Sequence, residues 1–245
     1  MRKILLSLAM TILWSWSVKA QEYNATMFGI VSDGLHNNTG AIQYAIDFIS
    51  EKGGGKLNFF VGRYLTGSLE LKSNVTIELH EGAVLLASPN WNDYVPSASN
   101  QRALLKGDGI SNFKLIGKGV IEAQPLKFYR LSSQLNEKGY ITIKDKDYPS
   151  LMLLNNCNQI TVDGILFQQF VNKALISKES TDLQLKNLII RSHEPHTVGL
   201  LLENSSAIHV EGIYLETKGR AVEKDQQTTF KLIQNCITAN GKSAL

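Results

Sequence analysis

The sequence predicts an all-β chain folded as a parallel β-helix, a solenoid of short strands with a capping α-helix at its N-terminal end. Three observations predict it. Blocks of alternating apolar and polar residues recur at a nearly constant interval, the interval is too short to hold a helix, and the one segment with helical periodicity lies ahead of the first block.

The blocks read Asn74-Val75-Thr76-Ile77-Glu78-Leu79, Asn112-Phe113-Lys114-Leu115, Gln159-Ile160-Thr161-Val162-Asp163-Gly164-Ile165, Asp182-Leu183-Gln184-Leu185-Lys186-Asn187-Leu188 and Ala207-Ile208-His209-Val210-Glu211-Gly212-Ile213. A looser copy runs from Thr229 to Cys236. In each a polar or small residue leads in, and in the longer copies a Gly or Asn follows the alternation. The last four alternations begin at Ile160, Leu183, Ile208 and Phe230, giving steps of 23, 25 and 22 residues. A strand takes about five residues and a tight corner a few more, so one period holds about three strands and three turns. Stacked coils set each strand about 4.8 Å from its copy and bury a continuous apolar interior. A leucine-rich repeat has a similar period, but its spacing of leucines with a fixed Asn is absent and β-branched residues dominate.

Ahead of the repeat, Ile42, Ala45, Ile46 and Ile49 recur on one helical face, Asn38 or Thr39 stands at the cap, and Gly53-Gly54-Gly55 ends the helix. Such a helix covers strand edges that the first coil would otherwise expose. Residues 124–149 interrupt the repeat with a polar stretch containing Phe128, Tyr129, Tyr140 and Tyr148, which reads as a long loop overhanging one face. After Phe230-Lys231-Leu232-Ile233 no apolar helical period appears, so the last coil is expected to fray or to self-associate end to end.

At the N-terminus, Arg2 and Lys3 precede an apolar run from Ile4 to Trp14 and the small-residue site Val18-Lys19-Ala20. This is the pattern of a secretory signal peptide over residues 1–20, predicting a secreted or periplasmic mature chain, 21–245, of one domain. No later segment is long and apolar enough to span a membrane. The formal charge of +3 belongs to the leader, because removing Arg2, Lys3 and Lys19 leaves basic and acidic residues equal in number. A neutral chain gives no electrostatic case for a nucleic-acid partner. Cys157 and Cys236 fall about three coils apart, too far for a disulfide, and are expected to be free thiols.

Several segments together carry a family resemblance: Phe28-Gly29-Ile30-Val31-Ser32-Asp33-Gly34, Ala41-Ile42-Gln43-Tyr44-Ala45-Ile46-Asp47, Gly53-Gly54-Gly55, the run from Tyr64-Leu65-Thr66-Gly67 through Ser73-Asn74-Val75-Thr76, and Glu81-Gly82-Ala83. In these the chain resembles the polygalacturonases of glycoside hydrolase family 28, closely over residues 27–94 and traceably beyond. The resemblance implies a right-handed solenoid, export, and an ancestral substrate of pectin or a related uronic-acid polymer.

Members of that family hydrolyse with inversion, one carboxylic acid protonating the leaving oxygen while carboxylates activate water on the other side. They carry Asn-Thr-Asp-Gly on one coil, Asp-Asp on the next, then His-Gly and Arg-x-Lys. Aligned through the repeat, the first motif falls on His196-Thr197-Val198-Gly199 and the aspartate pair on Gly219-Arg220. The chain reaches Leu245 near where the His-Gly coil would begin, so Arg-x-Lys is absent. The strand from Val198 to Leu202 presents leucine on its outward face whichever parity holds.

No cofactor and no metal are expected: His193-Glu194-Pro195-His196 reads as a solvated turn rather than a ligand set, since a metal needs three or four convergent ligands. Lys218 and Arg220, with His196, are candidates for gripping the carboxylate of an acidic oligosaccharide or polysaccharide, or are exposed cations beside Glu216 and Glu223. Tyr129, Tyr140 and Tyr148 either stack on sugar rings or pin their own loop. Glu203, Glu223 and Asp225 are the acids available for relocated catalysis. Three functions stay open: an inactive relative retaining carbohydrate binding, an active glycosidase with relocated acids, and a truncated fragment.

Overall fold

The structure is a computed structural model that describes residues 21–98, 100–143 and 148–245, so the leader read over residues 1–20 lies outside the described residues. Within it, the apolar halves of the blocks become vertical columns. Ile77, Leu115, Val162, Leu185, Val210 and Ile233 lie in register on successive parallel strands. All but the last are essentially inaccessible to solvent. Each coil contributes three strands, as the period requires. One face is built from strands such as Asn158–Asp163 and Thr181–Lys186, a second from Leu166–Gln168 and Ile189–Ser192, and a third from Ser150–Asn155, Lys173–Lys178, Val198–Glu203 and Arg220–Lys224. The strand Ile208–Thr217 runs through a corner and joins the first two faces into one 13-stranded network, leaving six strands in the third.

The punctuation of the repeat has a backbone cause. The lead-in residues Asn74, Asn112, Gln159, Asp182 and Ala207 all have φ between 54° and 63°, and Gly117, Gly164, Asn187, Gly212 and Asn235 after the alternation are also at positive φ. Asn and Gly tolerate the left-handed region that turns each corner. A third such column, Gly109, Asn156, Glu179 and Asn204, leads from the third face to the first.

The helix is observed over Thr39–Glu51 with Ile42, Ala45, Ile46 and Ile49 buried. Its cap differs from expectation. The Asn38 side chain is spent on the Val31 backbone and on the His36 carbonyl, and Asn37 Oδ1 instead accepts from the Thr39 N–H at 3.0 Å. A second correction concerns residues 124–149, read as a loop: Pro125–Glu137 is an α-helix with proline in its first turn and Pro125, Phe128 and Ser132 buried. Pro pre-sets the dihedral that a first helical turn needs. Phe128 packs edge-on against Tyr94 and Tyr148 with ring centroids 6.5 and 5.4 Å away, fixing the helix over the solenoid.

The far end is covered in part. Residues 240–245 double back, Thr238 N–H donating to the Lys242 carbonyl and Ala244 N–H to that of Cys236. This tail pairs the edge around residues 236–238, while Leu232 and Ile233 stay 38% and 44% exposed.

Cys157 and Cys236 are both buried and free. Cys157 occupies a corner column, its N–H donating to Ser180 Oγ one coil on, where the next position is Ser205. Burial raises both thiols, Cys236 to about 11. Titration with a thiol reagent is expected to find two groups after unfolding without reductant and neither promptly in the native protein. A prompt native reaction would contradict this packing.

Candidate functional site

On the third face, the outward positions of neighbouring coils form a row in which Lys106, Leu153, Ile176, Leu201 and Glu223 are in register. Leu153, Ile176 and Leu201 form a small apolar cluster apart from the main core. At the start of these strands, where the chain enters from the second face, lies an open cleft of about 530 Å³. That volume suits a small ligand.

One wall is the helix Pro125–Glu137 and the segment after it, through Tyr129 and Tyr148. Their rings lie 5.5 Å apart and pack on Phe128, so the aromatic residues both pin the overhanging segment and face the cleft. The Tyr129 hydroxyl donates to Glu194 Oε2 at 2.9 Å, tying helix to solenoid. The floor is Val171, Asn172 and Lys173 on one coil, His196 and Val198 on the next, and Glu223 on the third. Asn172 Nδ2 donates to the Tyr148 carbonyl, and Asn172 Oδ1 accepts from Lys173 Nζ at 2.9 Å. Burial holds the Lys173 ammonium below its ordinary pKa, with Glu223 acting in the opposite direction.

The positions aligned with the catalytic motifs sit together. Val198 pairs in register with Arg220, so the two segments are one coil apart. Val198 is buried in the cleft floor. Gly219 has no room for a side chain, because a Cβ there would lie 2.1 Å from the Thr197 carbonyl oxygen.

Of the acids considered for relocated catalysis, Glu223 lines the cleft and the other two do not. Glu203 Oε2 meets Lys178 Nζ at 2.9 Å, at the opposite end of the strands. Asp225 accepts from the Thr228 hydroxyl and from the N–H groups of Asn204, Gln227 and Thr228, closing a corner. The Thr228 hydroxyl, followed by these backbone bonds, holds its carboxyl below the ordinary range. Of the cations, Arg220 points to solvent with its side chain 76% exposed and pairs with Glu223 at 3.3 Å, and Lys218 is exposed outside the cleft. Tyr140 is 74% exposed and away from it too. Of the two histidines in the proposed turn, His196 lines the cleft and His193 is exposed outside it.

Sequence reasoning missed Glu194 as a cleft acid, and Asn172 and Lys173 altogether. A signal existed: Lys173 is in register with Val198 one coil earlier, so a step back of one period from the aligned motif reaches it.

A profile of "Glycosyl hydrolases family 28" matches residues 55–238. The exo-poly-alpha-D-galacturonosidase of Dickeya chrysanthemi is 31% identical over 174 residues, which are 64% of this chain and 27% of that enzyme, so the chain spans about a quarter of its length. The crystal structure of a Parabacteroides merdae ATCC 43184 protein assigned to the glycosyl hydrolases superposes with a TM-score of 0.83 at 33% identity, covering 91% of this chain and 98% of that one. The family 28 exopolygalacturonase of Yersinia enterocolitica shares the fold, with a TM-score of 0.74 at 21% identity over 86% of this chain and 48% of its own. A right-handed parallel β-helix whose coils carry the family's sequence from the first full strand to the last makes this chain a member of glycoside hydrolase family 28, the polygalacturonase family.

Proposed function

We propose that the protein is an exported, catalytically inactive member of its family that keeps a glycan-binding cleft and serves in pectic polysaccharide metabolism. The observation that carries this reading is the pairing of Val198 with Arg220 beside a Gly219 that cannot accept a side chain. Where the family's aspartates align, one position is apolar, one is closed by the backbone, and one holds a cation facing solvent. The cleft beside them is intact, with two tyrosines for a sugar face and Asn172, Lys173, Glu194 and Glu223 for hydroxyl groups.

Affinity electrophoresis through gels containing pectic polysaccharides tests the binding. Retardation is expected, and its loss in a Tyr148→Ala variant whose circular dichroism and melting remain those of a folded β-helix. A native protein that migrates identically with and without each polysaccharide ends this reading. Export is tested separately, by N-terminal sequencing of protein recovered from periplasm or medium. The expected first residue is Gln21, and a chain retaining Met1 in the cytoplasm would overturn it.

A further inference from the structure

We propose that the cleft takes a neutral sugar residue in preference to a uronate, an inference that rests on the glycan-binding reading above. A site for a uronate carboxylate needs an uncompensated cation at hydrogen-bond range, ideally a guanidinium fork. Among the described residues no guanidinium lines the cleft. Arg220, the best candidate by sequence, is turned to solvent and engaged by Glu223. Lys173, the lysine of the lining, has its ammonium on Asn172 Oδ1 and lies in the field of Glu223. Against that lysine the lining sets two carboxylates, Glu194 and Glu223, the second of them shared with Arg220. An incoming carboxylate would meet like charge in a partly desolvated space.

The same groups suit an uncharged pyranose. Carboxylates accept from sugar hydroxyls without needing a proton of their own, and such charge-assisted bonds are the stronger ones. Tyr129 and Tyr148 offer ring faces to the apolar side of a sugar, and Val171, Pro195 and Val198 extend that surface. Glu194 is already oriented by the Tyr129 hydroxyl on Oε2, which leaves Oε1 for a ligand.

Calorimetry on the mature protein, with galacto-, arabino- and xylo-oligosaccharides set against trigalacturonate, tests the inference. At least one neutral probe is expected to bind ten-fold or more tighter than trigalacturonate, with an affinity unchanged between low and high salt. The double variant Glu194→Gln/Glu223→Gln, which keeps side-chain size, is expected to weaken the neutral probe and to strengthen trigalacturonate, narrowing the ratio at least ten-fold. Trigalacturonate binding tighter than every neutral probe, and weakening with salt, would overturn the inference while leaving the glycan-binding reading standing. An unchanged ratio in a folded double variant would overturn it as well. Absence of binding by all probes removes the glycan-binding reading, and the inference with it.

Discussion

Incubated with polygalacturonate, the purified protein is expected to release no reducing ends above buffer, and Val198→Asp alone is expected not to restore release. A general acid or base contributes on the order of 10²- to 10⁴-fold, so losing both together removes all useful turnover. The argument is geometric as well as compositional. Inversion needs carboxyl groups on both sides of the scissile bond, roughly 6.5–9.5 Å apart. At the second aligned motif, an aspartate at position 219 would drive its Cβ to 2.1 Å from the Thr197 carbonyl oxygen. The coil must therefore move before that acid can exist. Relocated acids are the alternative, and the fold constrains them: Asp225 spends its oxygens on four hydrogen bonds at a corner, and Glu203 is paired to Lys178 outside the cleft. Glu194 and Glu223 alone among the described carboxylates line it. Turnover that vanishes in Glu194→Gln or Glu223→Gln would make this an active enzyme with a new acid pair, and the inactive reading would be wrong.

The architecture was legible because a solenoid repeats its own evidence. Each inward column is read several times, so one irregular copy, such as that from Thr229 to Cys236, does not hide the period. The corners were legible as far as Gly and Asn mark them, but Glu179 and Gln159 adopt the same left-handed backbone without that signature. The helix Pro125–Glu137 was missed for a different reason. Its buried stripe is Phe128 and Ser132, too slight to stand out in a polar stretch, and the packing on Tyr94 and Tyr148 comes from segments on either side in the chain. The cleft suffered most, since its walls join that helix to three successive coils. Arg220 looked like a ligand because it falls where the family's aspartate pair aligns. Although it shares a register column with Val198 and Lys173, its side chain is 76% exposed and paired with Glu223, and the cation lining the cleft is Lys173, 25 residues before Val198.

Gly164→Ala is expected to be among the most destabilising single methyl additions to this chain, costing about 3 kcal/mol or more and lowering the melting temperature by roughly 6–12 °C. Two costs coincide at this corner. Gly164 has φ of 79°, which an alanine adopts only with strain of about 1–2 kcal/mol. Its missing Cβ would also lie 2.0 Å from the carbonyl oxygen of Gly117, the residue one coil below. Coils are held at strand spacing by ladder bonds on both faces, so that oxygen cannot retreat without breaking register. Gly109 separates the two terms. Its φ of 62° is similar, nothing lies within 4 Å of its absent Cβ, and its column mates one and two coils on are Asn156 and Glu179. Gly109→Ala should therefore cost about 1–2 kcal/mol from backbone strain alone, and Gly109→Asn less, since asparagine tolerates the left-handed region. Thermal and urea unfolding of the three variants decide the matter. Equal losses for Gly164→Ala and Gly109→Ala would mean that the dihedral sets the whole cost and that the coils yield to a buried methyl, contrary to the tight stacking argued here.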